Sequence, residues 1–350
     1  MFARSGTGNY AYTSARVKAK KSRLLRPEDY SKMLMQSVPE MSHYISEAGY
    51  SKEMTDLASR YDGLDLVEYA TYANMGKAFR SILASSTGDL KSMISAYLTR
   101  WDFTNLKTIL RGKNCGLPAD EIREDLLVAG KLDAEDLEKL ISASTVEETI
   151  TAFTAMTYIA IPEDAIAKYR EGLLLAPIED SFVKIFYKRL LDAIGRGGGR
   201  PNEIFRHYVR FTIDVKNVKT VLKLKAEDVY GSVVMDYFIP GGIEIDQKVM
   251  SQLAEAPDLK SALSSMQQLK MYADIKDSIT EDSDIMDVGK ALNAYKARMS
   301  KSFAQLYPLS VIPVLDYMIH KENEVRNVRL IARGTESGLD RETINSLLVI

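Results

Sequence analysis

Cysteine is nearly absent from this sequence: Cys115 is the only one among 350 residues. That excludes an internal disulfide framework and suits a reducing compartment. Histidine is almost as scarce. His43, His207 and His320 stand far apart and share no metal-ligand spacing with acids or with Cys115, so no metal site is assigned. No apolar run reaches the roughly 18 residues that span a bilayer. The longest candidates, 151–162 and 307–319, are too short or broken by proline. The N-terminus lacks the continuous apolar core of a signal peptide. A phosphate loop is missing too, because the glycine-rich 195–200 has no preceding strand and no following Lys-Ser/Thr. There is no nucleophile elbow, Cys115 has no neighbouring histidine, and the carboxylates show no glycosidase-like pairing. Catalytic residues and a cofactor are therefore not assigned. Formal charge is small, at −2, and gives no general pull toward nucleic acid.

Strand signals are few. Gly241-Gly242 lies between the apolar stretches 233–239 and 243–245, readable as a small hairpin or as a buried turn. Elsewhere apolar residues recur at helical spacing, and helix starts are marked by Pro118, by Asp133 and by Thr145 with Glu148 three residues on. The expected fold class is all-α. A glycine-rich segment, 195–201, separates a long helix ending near Ile194 from one starting near Asn202. It reads as a tight helix–helix loop, with a hinge as the alternative.

What the sequence does contain is one motif three times. It reads Asp102-x-x-Asn105-Leu106-Lys107, Asp214-x-x-Asn217-Val218-Lys219 and Glu324-x-x-Asn327-Val328-Arg329, with the asparagines 112 and 110 residues apart. The similarity extends past the motif. At an offset of 113, Leu132 meets Ile245, Asp133 meets Asp246, Leu140 meets Leu253 and Phe153 meets Met266. Before each motif runs an amphipathic stretch: Met75, Phe79, Ile82, Leu83; then Phe182, Ile185, Phe186, Leu190, Ile194; then Ile285, Val288, Leu292, Tyr295, Met299. Residues 28–45 resemble a post-motif half, with Val38-Pro39-Glu40 set like Ala256-Pro257-Asp258. The third motif is followed by only one short helix. The expected organisation is a single domain of internal copies, about 64–160, 161–273 and 274–350, with 1–63 completing the third copy or packing at its side. An array whose ends meet also covers its own apolar ends.

The motif residues Asp102, Asn105, Lys107, Asp214, Asn217, Lys219, Glu324, Asn327 and Arg329 are read as a structural polar network, since an acid and an amide three residues on share one helix face. Capping of a helix start by Asp102 and Asp214 fits as well. A ligand site made three times over is the functional alternative. Charge is segregated along the chain. Residues 1–26 carry Arg4, Arg16, Lys18, Lys20, Lys21, Arg23 and Arg26 with no acid, whereas 120–148 has ten acids against Arg123, Lys131 and Lys139. Both runs suit solvated faces. The basic one also suits an end that approaches lipid headgroups or acidic loops. Against a nucleic-acid arm, its only aromatics are Phe2, Tyr10 and Tyr12. Lys18, Lys20, Lys21 and Arg23 are the candidate docking residues, on a helix expected to turn Ala15, Ala19, Leu24 and Leu25 inward.

Three segments carry a resemblance to a known family. Residues 9–25, NYAYTSARVKAKKSRLL, resemble the opening of the C subunits of archaeal A-type and bacterial V-type ATP synthases; 97–117 and 323–334 resemble later signatures of that family. The d subunit of the eukaryotic vacuolar proton pump is the more distant relative. The resemblance runs the length of the chain. It implies three similar helical subdomains in a pseudo-threefold funnel. The funnel is peripheral to the cytoplasmic face of the membrane, between the D and F subunits of the rotor stalk and the proteolipid ring, with the stator membrane subunit as a further neighbour. It implies a non-catalytic coupling with no cofactor, no small-molecule substrate and no nucleic acid partner. An unrelated helical-repeat scaffold, or an enzyme with its site in an axial cavity, are the alternatives left by the residues alone.

Overall fold

The computed structural model describes residues 8–195, 199–279 and 285–349, with the side chains of 285 and 286 excepted. Phe2 and Arg4 of the basic segment, 196–198 of the glycine-rich loop and the side chain of Ile285 lie outside the described residues.

Every regular element among the described residues is helical. In chain order these are α1 (Tyr10–Lys21), α2 (Pro27–Met33), α3 (Val38–Ile45), α4 (Ser51–Leu57), α5 (Gly63–Ser85), α6 (Gly88–Asn114) and α7 (Ala119–Glu124). Next come α8 (Ala134–Ser142), α9 (Val146–Thr157), α10 (Glu163–Gly172), α11 (Ala176–Gly195), α12 (Arg200–Ala226) and α13 (Ser232–Met235). The last are α14 (Gln247–Glu255), α15 (Leu259–Ser265), α16 (Lys270–Ile275), α17 (Ile285–Leu306), α18 (Ile312–Glu336) and α19 (Arg341–Leu347). The chain forms two compact units: Met1–Ala160 with Pro313–Ile350, and Ile161–Ile312.

Local chemistry accounts for the boundaries. Asp133 accepts from the Asp136 N–H at 2.9 Å and starts α8. Thr145 accepts from the Glu148 N–H at 3.1 Å, while the Glu148 carboxylate turns back to the Ser144 N–H at 2.8 Å, one residue before the expected partner. The three helices that carry the motif end alike. Each stops at a left-handed residue, Gly116, Asp228 or Gly338, and the next N–H reaches back to Gly112, Leu224 or Gly334. Around Gly241, φ is +104°, and the chain there makes a turn rather than a hairpin.

Two cores follow from the amphipathic stretches. In the first unit, Tyr30, Met33, Met41, Ile45 and Tyr50 pack with Val328, Ile331, Ala332 and Ile344, so the N-terminal segment shares its core with α18 and α19. Met75, Phe79 and Ile82 are buried along α5. In the second unit, Val218, Val221 and Leu222 of α12 pack with Ile245, Met250, Leu253 and Met266 and with Val288, Leu292 and Tyr295 of α17. Along α11, Phe182, Leu190 and Ile194 are buried, with Ile185 and Phe186 half-buried.

Leu222 is fully buried, whereas Leu173, on the α10–α11 connection, is 63 % exposed. Leu222→Ala is expected to destabilise the protein by about 2–5 kcal/mol through the cavity it leaves. Leu173→Ala is expected to change stability by less than about 0.5 kcal/mol. Urea unfolding of the two variants beside the wild type checks the contrast.

Candidate functional site

A buried asparagine amide offers one acceptor and two donors in a planar fork, which matches the N–H and C=O of a single backbone residue. The three motif asparagines use that match in the same way. Asn105 Nδ2 donates to Leu127 O at 2.8 Å and its Oδ1 accepts from Leu127 N at 2.9 Å. Asn217 does the same with Ile239, at 2.8 and 3.0 Å. Asn327 does so with Val349, at 2.9 and 3.0 Å. In each case the partner lies 22 residues further on. All three side chains are buried, with residue exposure of 1 % or less.

The acids fix a second point on the same connections. Asp102 accepts from the N–H groups of Lys131 and Leu132, each at 3.0 Å. Asp214 accepts from Ile243, Glu244 and Ile245 at 2.8, 3.0 and 3.0 Å. Neither aspartate caps its own helix, as sequence had allowed. Both sit in mid-helix, in α6 and α12, and their carboxylates cap the chain that leads into α8 and α14. Gly130 and Gly242 lie so close to these carboxylates that a Cβ at either position would collide with the oxygen. Desolvation raises the Asp102 carboxyl from the ordinary 3.8 to about 6 in spite of its two N–H partners, and it raises Asp214 as well.

The third acid differs. Glu324 reaches the N-terminal segment, accepting from Leu25 N at 2.6 Å, and its other oxygen takes the Tyr50 hydroxyl at 2.5 Å and Lys321 Nζ at 2.7 Å. Lys321 also donates to the Tyr50 oxygen at 2.9 Å. Burial pulls the Lys321 ammonium below its usual range and pushes the Tyr50 phenol well above its own. Lys21 adds an ion pair with Asp316 at 2.6 Å. The third clamp thus joins both ends of the chain to α18.

Lys219 donates to Asn293, and Arg329 binds Glu68 at 3.0 Å while its guanidinium lies 3.8 Å from the Tyr72 ring centre. Lys107 is half-buried on α6. Two other lysines escaped sequence reasoning. Lys113 and Lys225 stand eight residues after the first and second asparagines, a recurrence that could have marked them. Lys113 donates to Ile141 O at 2.6 Å and to Ala143 O; Lys225 donates to Ala256 O at 2.5 Å and to Ala254 O. Each ammonium thereby satisfies carbonyls at the end of α8 or α14 that the helix leaves unpaired. Burial lowers the pKa of both.

The docking candidates divide. On α1, Thr13, Ser14 and Val17 face inward, and Ala15 and Ala19 are exposed, so the inward stripe runs on nearly the opposite side from the one expected. Small hydroxyl residues serve as the packing face, and Asn9 beside them donates to Ser85 O at 2.8 Å and accepts from Thr87 N at 3.0 Å. Leu24 and Leu25 are half-buried. Lys18 and Arg23 are exposed; Lys20 is half-buried, and Lys21 is half-buried and held by Asp316. Of the histidines, His207 stacks on Phe303 and His320 Nδ1 lies 2.7 Å from Asp316 O. No group of three metal-ligating side chains occurs among the described residues, and no helix there is long and apolar enough to cross a membrane.

Residues 13–347 match the family model described as ATP synthase (C/AC39) subunit. The chain is 32 % identical over 345 residues to the A-type ATP synthase C subunit of Methanococcoides burtonii, covering 98 % of this chain and 95 % of that one. It is 33 % identical to the protein of the same name from Methanosarcina mazei, over 99 % of this chain and 94 % of that one. With that of Haloferax volcanii it is 32 % identical over 99 % of both. The chain belongs to the ATP synthase (C/AC39) family. It is a non-catalytic member of a rotary ATPase complex rather than an enzyme in its own right.

Replacing Asn217 with Leu strands the N–H and C=O of Ile239. The expected loss is about 1–3 kcal/mol, read by chemical denaturation. The Asp102 carboxyl holds its proton more tightly in the folded state, its pKa there being about 6 against the ordinary 3.8. Its contribution to stability is therefore present in acid and lost as pH rises from about 4 to about 6, on the order of 1–3 kcal/mol. Asp102→Asn should flatten that part of the stability–pH curve; an unchanged slope assigns it to other groups.

Proposed function

We propose that this chain couples the central shaft of an A-type ATP synthase, made of the D and F subunits, to the membrane proteolipid ring. In this reading it passes torque between them, in the direction of ATP synthesis or of ion pumping. The protein is peripheral, on the cytoplasmic face, with the stator membrane subunit as a further neighbour. It needs no cofactor. The observation that carries the reading is the threefold recurrence of one buried clamp in a chain of this family, each asparagine pinning the residue 22 positions on.

The copies are taken as 64–160, 161–273 and 274–350, with 1–63 completing the third, and their arrangement as three helical subdomains about a pseudo-threefold axis, forming a funnel. The shared core of residues 30–54 with α18 and α19 supports the completion of the third copy by the N-terminal segment. A torque-bearing adaptor has to be stiff. Clamps that fix the connections between helices, in place of mobile loops, supply that stiffness. The motif residues are on this view structural, and contact with partners falls to the surface.

Lys18, Lys20, Lys21 and Arg23 are the docking residues of this reading, with Lys18 and Arg23, both exposed, best placed to meet an acidic partner. The isolated protein is expected to retain the D–F pair and the detergent-solubilised ring when each is presented separately in a pull-down. Loss of both would sink the coupling reading. The doubly reversed variant Lys18→Glu with Arg23→Glu leaves the Lys21–Asp316 pair intact and should bind more weakly at low salt. The difference should shrink as salt screens the charges. Equal binding at low and high salt would reduce the basic helix to a solubilising surface.

A further inference from the structure

A cleft in the first unit lies beside the first clamp, whose partner residue Leu127 lines it, and takes no part in the basic helix. It has a volume of about 570 Å3 and runs beside α5. One wall is a stripe of that helix from Tyr69 through Tyr72, Ala73, Gly76 and Lys77 to Arg80, at intervals of three and four. Across from it stand α7 and the segment 126–128. Gly76 lets the walls converge, since a Cβ there would lie 3.1 Å from Leu127 and 3.2 Å from Val128 O. Along the helix axis the stripe is about 16 Å long, which an extended chain covers in about five residues.

The lining mixes three tyrosines and several aliphatic side chains with the basic residues Arg60, Lys77, Arg80 and Arg123 and the acidic Asp120 and Glu124. Tyr61 and Tyr69 pack with ring centres 4.5 Å apart and planes tilted by 56°, and both hydroxyls donate to Glu124 at 3.1 Å. Asp120 and Glu138 neutralise Arg123, and Glu53 and Asp56 hold Lys77 at 2.9 and 3.4 Å. Arg60 and Arg80 have no carboxylate partner among the described residues; Arg80 donates only to Val128 O. Arg60 adjoins Tyr61 and so marks the Tyr69 end of the cleft, and Arg80 marks the other. Two uncompensated guanidiniums therefore flank a tyrosine-lined trough.

We propose that the cleft takes an extended acidic peptide segment of another protein of the complex, its carboxylates on Arg60 and Arg80 and an apolar side chain against the tyrosines. Guanidinium forks suit carboxylates in two-point contact. A polyphosphate fits less well, because Asp120 and Glu124 on the facing wall add negative charge where its phosphates would run. The proposal rests on membership in the complex and not on which surface meets the ring or the shaft.

The test places the photo-cross-linking residue p-benzoylphenylalanine at Ala73, which is half-buried in the cleft wall, within the assembled complex. Mass spectrometry of the cross-linked peptides is expected to identify one partner segment with at least two carboxylates beside the captured residue. Adding Arg60→Glu should cut its yield at low salt by about fivefold, as loss of a screened charge contact does. Arg60 is exposed and its side chain makes no hydrogen bond or ion pair among the described residues, so the melting temperature of that variant should match the parent and exclude misfolding. The proposal is overturned by the absence of any cross-link in an assembled complex, by capture of a basic segment, or by a yield indifferent to Arg60→Glu. A pull-down that fails with ring or shaft would leave this result standing, so the two readings fail separately.

Discussion

The fold depends on a side-chain amide that stands in for a neighbouring backbone. Connections that pass beneath other elements bury N–H and C=O groups that must find partners. At Leu127, Ile239 and Val349 no sheet or helix supplies them. An asparagine on a long helix does, through both atoms of its fork. Asparagine is the side chain with the right length and the right pair of groups; an aspartate could accept but not donate, and a leucine could do neither. The acid three residues earlier lies on the same face of the helix, one turn back. It receives the next N–H groups along the connection, so that a single helical turn holds both ends of a short buried stretch.

The third copy keeps the interaction and changes its connectivity. In the first two copies one continuous stretch of chain supplies the groups that meet the amide and the acid. In the third, the C-terminal tail brings Val349 to Asn327, and the N-terminal segment brings Leu25 to Glu324. The longer glutamate, with Lys321 and Tyr50 around it, reaches a partner that is not tethered nearby in sequence. Lys21 with Asp316, and Glu68 with Arg329 and Arg333, add further ties between the N-terminal half of the unit and α18.

Much of this was legible in the sequence for a simple reason: repetition reports a constraint without needing to be decoded. The motif spacing located the clamps, and amphipathic periodicity located the helices that carry them. The partners of the motif were not legible. An acid and an amide three residues apart read equally well as a cap, and only the fold shows that they sit in mid-helix and reach across to another segment. The lysines at 113 and 225 were missed because a single basic residue inside a helix looks like surface until the helix end it serves is in place. On α1 the expected inward face was wrong because alanine and leucine were weighted above serine and threonine. Close approach to α5 favours small side chains whatever their polarity, and Asn9 binds the nearby backbone.

The split clamp gives the molecule a seam. The connections at 127–132 and 239–245 are bridged by peptide bonds, so opening their clamps leaves the chain joined on both sides. At Glu324 the segment that arrives, around Leu25, is 299 residues away in sequence and is held by hydrogen bonds, the Lys21–Asp316 ion pair and shared apolar packing. Under a mechanical load that separates α1–α3 from α18, the covalent link between them is only the long run of chain 46–311, so these contacts share the force in parallel. Load on this unit would therefore fall on the junction of residues 21–50 with α18. The density of charged and phenolic partners around Glu324 reinforces the one joint that the backbone leaves open.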